Sequence, residues 1–476
     1  MKKSVWIIIL LLFAFCFQVC GVVAQEIINK EEGSFEIVES NYDIRGAAIN
    51  LGNGNVLIYN TSNFLKFDSN TNEIKPLILR DKKNRSLDLG YTNYGASRPA
   101  LKLDNENILF VAPYISHPDL YSIPIDLHSK SEKKYVKRLK RKSEFLYNKY
   151  TNAIQEYEDS GYVQIYNINK NELIKAGELS IRRRFVLPVK AENGKIYLFG
   201  GKAAGWELGY NVTPEKAEDY QIEQGQKVEM YDPVTRTSKI VGKYPNKLYS
   251  VKDFDVVPVA KNKLLLVKNN TYVLFDTDTN SFSDKETIFN SEGYFFDFMT
   301  KLPNGEVLLG LRRDNRVCHT GEDEIGKKLS QNNDFMEKFY SLHSYRRDYY
   351  TLNLYKYDKK DNVFRLVNNV IVARIDYNIN SSIVIMQDGR LLIMNGEFYK
   401  NKFIGDKPSQ GVIYNPVTNA ISYMPDLPIK LSDRVDLTTM DNGKILIFET
   451  IKCNEIGREC RPFEHQRILI IYTPQK

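Results

Sequence analysis

Histidine and cysteine are scarce, with five of each in 476 residues. His117, His128, His319, His343 and His465 form no His-x-x-x-His set, and the cysteines form no Cys-x-x-Cys pair. The ligand spacings that hold transition metals are therefore missing, and no cofactor is expected. Cys318-His319 is a lone adjacent pair. No Gly-x-Ser-x-Gly elbow or phosphate loop occurs. Neither sign of charge dominates: 66 basic against 59 acidic residues give +7, too little at this length to argue for nucleic acid. Long apolar runs are absent after the N-terminus, which excludes a polytopic membrane protein. With 26% charged and 42% apolar residues, 17 Pro and 27 Gly, disorder and collagen-like sequence are excluded too.

The N-terminus reads Met1-Lys2-Lys3-Ser4, an apolar run from Val5 to Val19, then Cys20-Gly21-Val22-Val23-Ala24-Gln25. A positive start, an apolar middle and a small-residue stop are the layout of a secretory signal. Val22-x-Ala24 suits signal peptidase, so residues 1–24 read as the signal and 25–476 as one exported domain, periplasmic, secreted or at the cell surface. Lipidation at Cys20 is disfavoured by Val19, where a small residue is expected. An uncleaved anchor stays open, because the run nearly spans a thinned bilayer. An oxidising compartment suits a Cys453–Cys460 bridge, the alternative being two free thiols; Cys318 is left over.

The rest of the chain is built of short apolar runs between turns. Asn53-Gly54, Asn193-Gly194, Asn304-Gly305, Asp388-Gly389 and Asn442-Gly443 each precede a dense aliphatic run, and Asn105-Glu106 and Asn262-Lys263 are weaker copies. Asn-Gly between apolar runs predicts a two-residue hairpin in which both central residues take positive φ. A second hairpin follows in six copies, an aromatic-Asp/Asn pair with an apolar partner seven residues after the aromatic: Phe67…Ile74, Tyr166…Leu173, Tyr231…Ser238, Phe275…Phe282, Tyr357…Phe364 and Tyr414…Ile421. Ser238 alone breaks the apolar rule. The Asp or Asn opens each turn by bonding its own backbone.

Four strands per repeat predict an all-β fold, a seven-bladed β-propeller of four-stranded antiparallel blades. The last repeat lacks an outer strand, and Ser34–Glu39 is available to close that blade from the N-terminus. Sialidase-type Ser-x-Asp-x-Gly-x-Thr-Trp boxes are missing.

The units resemble kelch repeats. Residues 184–244 carry the resemblance best, with Arg184 before the first strand, Asn193-Gly-Lys-Ile-Tyr-Leu-Phe-Gly-Gly201, then Tyr231-Asp-Pro-Val-Thr. The double glycine occurs only once, and the usual Trp is replaced by Ile, Leu, Phe or Ser. The resemblance implies the propeller and admits several functions, among them a galactose-oxidase-like copper enzyme and a sialate-epimerase-like isomerase.

The longest insertions, at about 114–160, 202–226 and 312–350, follow the second strand of a repeat, as do shorter ones at 397–409 and 451–466. All five are expected on one face, where loops on a rigid scaffold bind ligands. Two are expected to hold helices. Residues 130–158 carry a Ser129-x-x-Glu132 capping box and a basic first half, and 333–348 carry a second apolar face. Arg45, Arg98, Arg184 and Arg434 precede first strands and read either as a ring for an oxyanion or as donors to backbone carbonyls. Asp253, Asp255 and Asp297 would form an opposing acidic arc. Trp206 and Tyr210 suit stacking on a sugar or peptide, and Glu207, Asp314 and Glu397 are carboxylates available for acid–base work. The expected role is recognition of a protein, peptide or glycan, with a carbohydrate-active isomerase or oxidase as the alternative. Nucleic acid is not expected. Membrane contact would be confined to the N-terminal segment or the basic helix.

Overall fold

The computed structural model describes residues 33–40, 42, 44, 47–59, 64–78, 100–111, 134, 137–138, 141, 161–184, 186–203, 214–245, 254–288, 293–314, 348–374, 382–399, 409–427, 435–452 and 465–475. Over these residues the fold is all-β and antiparallel. The exceptions are the helix Pro214–Gln226 and the helical residues Lys134, Lys137, Arg138 and Arg141. Most of the basic segment 130–158, and all of 333–347, lie outside the described residues, as do Cys318, Cys453, Cys460 and the N-terminal 32.

Seven sets of four strands follow one another. Sheet I is Ala47–Gly52, Asn55–Tyr59, Phe64–Asp68 and Glu73–Pro76. Sheet II is Ala100–Lys102, Asn107–Val111, Tyr162–Asn167 and Glu172–Glu178. Sheet III is Leu187–Lys190, Ile196–Phe199, Lys227–Asp232 and Thr237–Lys243. Sheet IV is Phe254–Ala260, Lys263–Lys268 and Thr271–Asp276, its outer place shared by Ser281–Phe282 and Glu286–Thr287. Sheets V and VI are the halves of one eight-stranded sheet. V is Tyr294–Lys301, Val307–Asp314, Asp348–Asp358 and Val363–Arg374; VI is Ser382–Ile385, Leu391–Tyr399, Ser409–Tyr414 and Ile421–Tyr423. They join where Ile371–Ala373 pairs with Tyr399–Glu397. Sheet VII is Asp436–Thr439, Ile445–Lys452 and His465–Pro474, completed by Gly33–Ser40. The N-terminal strand takes the expected place beside the last strand, with Phe35 opposite Tyr472, Val38 opposite Leu469 and the Phe35 and Tyr472 rings stacked 5.0 Å apart.

Each sheet buries its faces against its neighbours in sequence order. Tyr59 and Phe64 of I pack on Phe110 and Tyr166 of II, and Leu109 and Val163 of II on Ile196 and Leu198 of III. Phe199 of III meets Phe275 of IV edge-on at 5.8 Å. Leu265 and Val267 of IV meet Leu309 and Leu311 of V, and Leu352 and Leu354 of V meet Leu391 and Ile393 of VI. Leu392 and Met394 of VI pack on Ile445 and Ile470 of VII. The last cluster returns to the start, with Leu446 and Leu469 of VII against Val56 and Phe67 of I. Both faces of every sheet are apolar for this reason, and the strands read as continuous hydrophobic runs.

The hairpins explain why these residues fold this way. In the outer pair of strands, the aromatic and the residue seven later are direct cross-strand partners in all six copies, from Phe67–Ile74 to Tyr414–Ile421. In five copies the following Asp or Asn accepts the amide two residues on at 2.9 Å, as Asp68 does from Asn70 and Asn415 from Val417; Asn167 instead takes the amide of Lys170, three residues on, at the same distance. These outer turns obey one further rule, carried by a polar residue. The fifth residue after the aromatic is left-handed, and it is Asn72, Asn171, Asn280, Asn362 or Asn419 in five copies but Arg236 in the sixth, at φ 60°. An L-residue other than Gly, Asn or Asp gives up about 1 kcal/mol there.

The inner hairpins correct the expectation of two positive φ values. Only Asn53-Gly54 has them, at 54° and 76°. In the other four, only the glycine is left-handed: Gly194, Gly305, Gly389 and Gly443 lie at 80–85°. There the glycine amide donates three residues back, as Gly194 does to the Ala191 carbonyl at 3.0 Å, while Ala191 donates to Lys195. This is a three-residue loop with a type I turn and a glycine bulge, which suits the strand twist equally well. The Asn or Asp before the glycine serves as an acceptor, its Oδ1 taking the amide two residues on at 3.0–3.1 Å.

The tight inner turns of neighbouring sheets touch. Asn50 donates to Asp441 Oδ1 (I to VII) at 2.9 Å, Gln387 to the Asp441 carbonyl (VI to VII) at 3.5 Å, and Lys190 to the Leu103 carbonyl (III to II) at 2.6 Å. These turns therefore share one end of the sheets, and the connections from second to third strands leave from the other. Those connections are short in I and IV and long after Val111, Phe199, Asp314, Tyr399 and Lys452.

Candidate functional site

The best-defined polar centre roots one of these long connections. Gly200 and Gly201, both left-handed (φ 65° and 92°), turn the chain out of the second strand of sheet III. That backbone conformation is the physical reason for the double glycine. Lys202–Ala203 then pairs antiparallel with Arg183–Arg184, the segment that feeds the first strand. At the far end the helix Pro214–Gln226 runs straight into the third strand. This helix was not expected; Pro214 followed by Glu215, a residue pair suited to a helix's first turn, was the available signal.

Arg183 ties both ends of the connection together. It is fully buried, and its Nη1 donates to the carbonyls of Gly200 at 3.0 Å, Lys227 at 2.6 Å and Gln224 at 3.3 Å. Its Nη2 meets Glu229 Oε2 at 3.2 Å, and Glu229 is buried as completely. The other carboxylate oxygen of Glu229 takes the Ser180 amide and lies 2.7 Å from Ser238 Oγ. Ser238 is thus the exception to the apolar rule because Glu229 needs a polar neighbour. Burial pulls the Arg183 guanidinium below its ordinary value and the Glu229 charge opposes that. An ion pair this deep contributes little net stability but fixes one geometry, and losing either partner leaves a bare buried charge.

Of the residues expected in the site, Arg45, Arg98, Arg434, Trp206, Glu207 and Tyr210 lie outside the described residues. Arg184 sits in the ribbon opposite Lys202, and Asp314 ends the second strand of sheet V opposite Tyr350. Glu397 lies in the bulged second strand of VI. Asp253 lies outside the described residues.

The acidic arc is corrected at its other two members. Asp297 is buried and paired with Arg312, Nε to Oδ1 3.2 Å, so its charge is neutralised inside the protein. Asp255 is half-buried, and it accepts the Val256 amide at 2.7 Å. Burial pushes its carboxyl up to about 7, against the smaller opposing pull of that amide.

A pH dependence follows. Folded Asp255 holds its proton up to near pH 7, whereas the unfolded chain releases it near pH 4, so folding takes up a proton between those values. Stability attributable to this group falls as pH rises through that window and levels off above it. A fully desolvated carboxyl would change stability by about 4 kcal/mol; partial exposure brings this to about 2 kcal/mol. Asp255→Asn keeps the Val256 contact without the charge. Urea unfolding at pH 8 should show the variant more stable than wild type by about 2 kcal/mol, with the gap closing by pH 4. A gap of the same size at both values would contradict the assignment.

No protein-family model matches the chain, and no curated protein matches it. Among solved structures it is similar to a fungal alcohol oxidase of the AA5 family in complex with copper, at 11% identity and a TM-score of 0.51, over 94% of this chain and 77% of that one. Identity that low speaks for the fold alone. Among the described residues no three His, Cys, Asp or Glu side chains come together, and no histidine side chain is described. The described residues therefore do not supply a copper ligand set.

Proposed function

We infer that the chain is an exported, kelch-like, seven-bladed β-propeller that acts as a recognition module through the face bearing the long connections. The arginine latch carries this reading: Arg183 fixes both ends of the 200–227 connection with one buried side chain. A connection whose two ends are held in that way leaves the sheet from a fixed root, which lowers the ordering cost of binding. The blade assignment is supported by the seven core clusters, each shared by consecutive sheets and the last returning to the first. The ligand class is a protein, peptide or glycan held by the arginines before the first strands, with Trp206 and Tyr210 for stacking.

Glycan and peptide arrays probed with residues 25–476 test this. Wild type should bind a defined subset, and Arg98→Ala and Arg184→Ala should each weaken that binding at least ten-fold. Unchanged binding in both variants removes the arginines from the site. Binding to nothing removes the recognition module. A second reading, a copper-dependent oxidase, is favoured only by the likeness of fold to the alcohol oxidase. Copper uptake at one equivalent together with copper-dependent oxidation of alcohols would establish it in place of the first.

A further inference from the structure

A cleft of about 540 Å³ lies between sheets II and III at the tight-turn end, on the side away from the long connections. Its size is within the range of small-molecule sites. Ile165, Ile174 and Val234 give it an apolar wall, and Lys170, Lys190 and Arg236 give it positive charge. Two carboxylates, Asp104 and Glu172, also line it. Asp104 is already occupied, by the amides of Glu106 and Asn107 at 2.8 Å each and by Asn107 Nδ2 at 3.0 Å, while Lys190 donates to the Leu103 carbonyl at 2.6 Å. Asp104 and Lys190 are opposite charges that act on each other, which leaves Arg236 and Lys170 against Glu172.

Arg236 is the anomaly. It holds the left-handed position that asparagine fills in the five sister turns. In three of those turns the asparagine also accepts the hydroxyl of the leading tyrosine, as Asn171 does from Tyr166 at 3.2 Å and Asn419 from Tyr414 at 2.7 Å; the Tyr357–Asn362 pair is alike. In sheet III, Tyr231 bonds the Ala176 carbonyl instead, at 2.6 Å. Arg236 thus gives up both a favourable backbone and a hydrogen bond. Among the described residues no hydrogen bond or ion pair engages its guanidinium to offset this. The Arg236 carbonyl seats against Gly177 of sheet II, where an added Cβ would come within 2.5 Å, so the turn is fixed at the lip of the cleft. Strain kept without an internal return is characteristic of functional positions.

We propose that this cleft binds a small carboxylate with an apolar body, the carboxylate paired by Arg236 with Lys170 beside it and the body lying on Ile165, Ile174 and Val234. A planar guanidinium matches a carboxylate in a bidentate pair, and the apolar wall favours a ligand with an apolar body over a small inorganic anion. The site lies at the opposite end from the proposed recognition face, so each can fail without the other.

The test titrates residues 25–476 with hexanoate and benzoate, and with hexanol and chloride as controls, followed by NMR shifts or calorimetry. Wild type should bind the two carboxylates and neither control. Arg236→Asn should weaken that binding at least ten-fold while raising the urea midpoint of unfolding. Because the variant is expected to be more stable, lost binding cannot be ascribed to misfolding. Wild-type indifference to both carboxylates would overturn the proposal. So would equal binding by Arg236→Asn, or binding of hexanol as tight as hexanoate. A lowered urea midpoint would show that the fold itself requires Arg236 and would equally overturn it.

Discussion

Replacing Arg183 by alanine should lower stability by about 3–5 kcal/mol, the usual result of stripping one partner from a buried ion pair. Three backbone carbonyls, those of Gly200, Gln224 and Lys227, lose their donor in the same change, and Glu229 is left charged and buried. Glu229→Ala should cost a similar amount, because it strands Arg183 among carbonyls with no counter-charge. Arg183→Met with Glu229→Leu removes both charges and should recover part of the loss, the unpaired carbonyls preventing full recovery. The double-mutant cycle should therefore show strong coupling between the two positions. Hydrogen exchange should speed up first in 200–203 and 214–229, the ends of the connection. Additive effects, or a loss below about 1 kcal/mol for either single change, would show that Arg183 is not the tie described here.

The second large effect concerns the N-terminal strand. Removing residues 33–40 exposes the edge of His465–Pro474 and strips Phe35 and Val38 from the two clusters that flank sheet VII. At about 1.5–3 kcal/mol for each large apolar side chain, the loss should be about 4 kcal/mol. The freed edge should also make the protein associate at micromolar concentration, since an open strand edge is a template for pairing. A truncated protein that unfolds at the wild-type urea midpoint and stays monomeric would contradict this.

Much of the architecture is legible because the rules that build it are local. The aromatic and its partner lie seven residues apart with a turn between them, so pairing and register are set within about ten residues of chain. The Asn-Gly and Asp-Gly dipeptides mark where the inner turns fall, yet not their type. Whether asparagine takes positive φ or serves as an acceptor depends on loop length, and a dipeptide does not specify that. The left-handed asparagines are harder to see because the repeat is recognised by its apolar residues, while this conformational requirement sits on a polar one.

The site was far less legible, for reasons of tertiary structure. Arg183 and Arg184 are neighbours in sequence, and which of them enters the core depends on how the ribbon with Lys202–Ala203 docks. The resemblance drew attention to Arg184; the buried latch is Arg183. Ser238 gave a usable hint, since a polar residue at an otherwise apolar position asks for a buried polar partner. Asp297 sits at a bulge between Phe296 and Phe298, which lets it reach Arg312, and a bulge leaves no mark in the composition of a strand.

The two ends of the chain meet in one sheet, where Gly33–Ser40 closes on His465–Pro474, and cross-strand disulfide formation tests that closure most directly. Ile37 and Ile470 are direct partners in the described register, while Ile37 and Leu469 are one residue out of step and point to opposite faces. The double variant Ile37→Cys with Ile470→Cys should link readily on oxidation, and peptide mapping should recover the two introduced thiols joined in one disulfide-bonded fragment. The double variant Ile37→Cys with Leu469→Cys should not link. Failure of the first pair to form the bridge, or equal linking by the second, would contradict the closure.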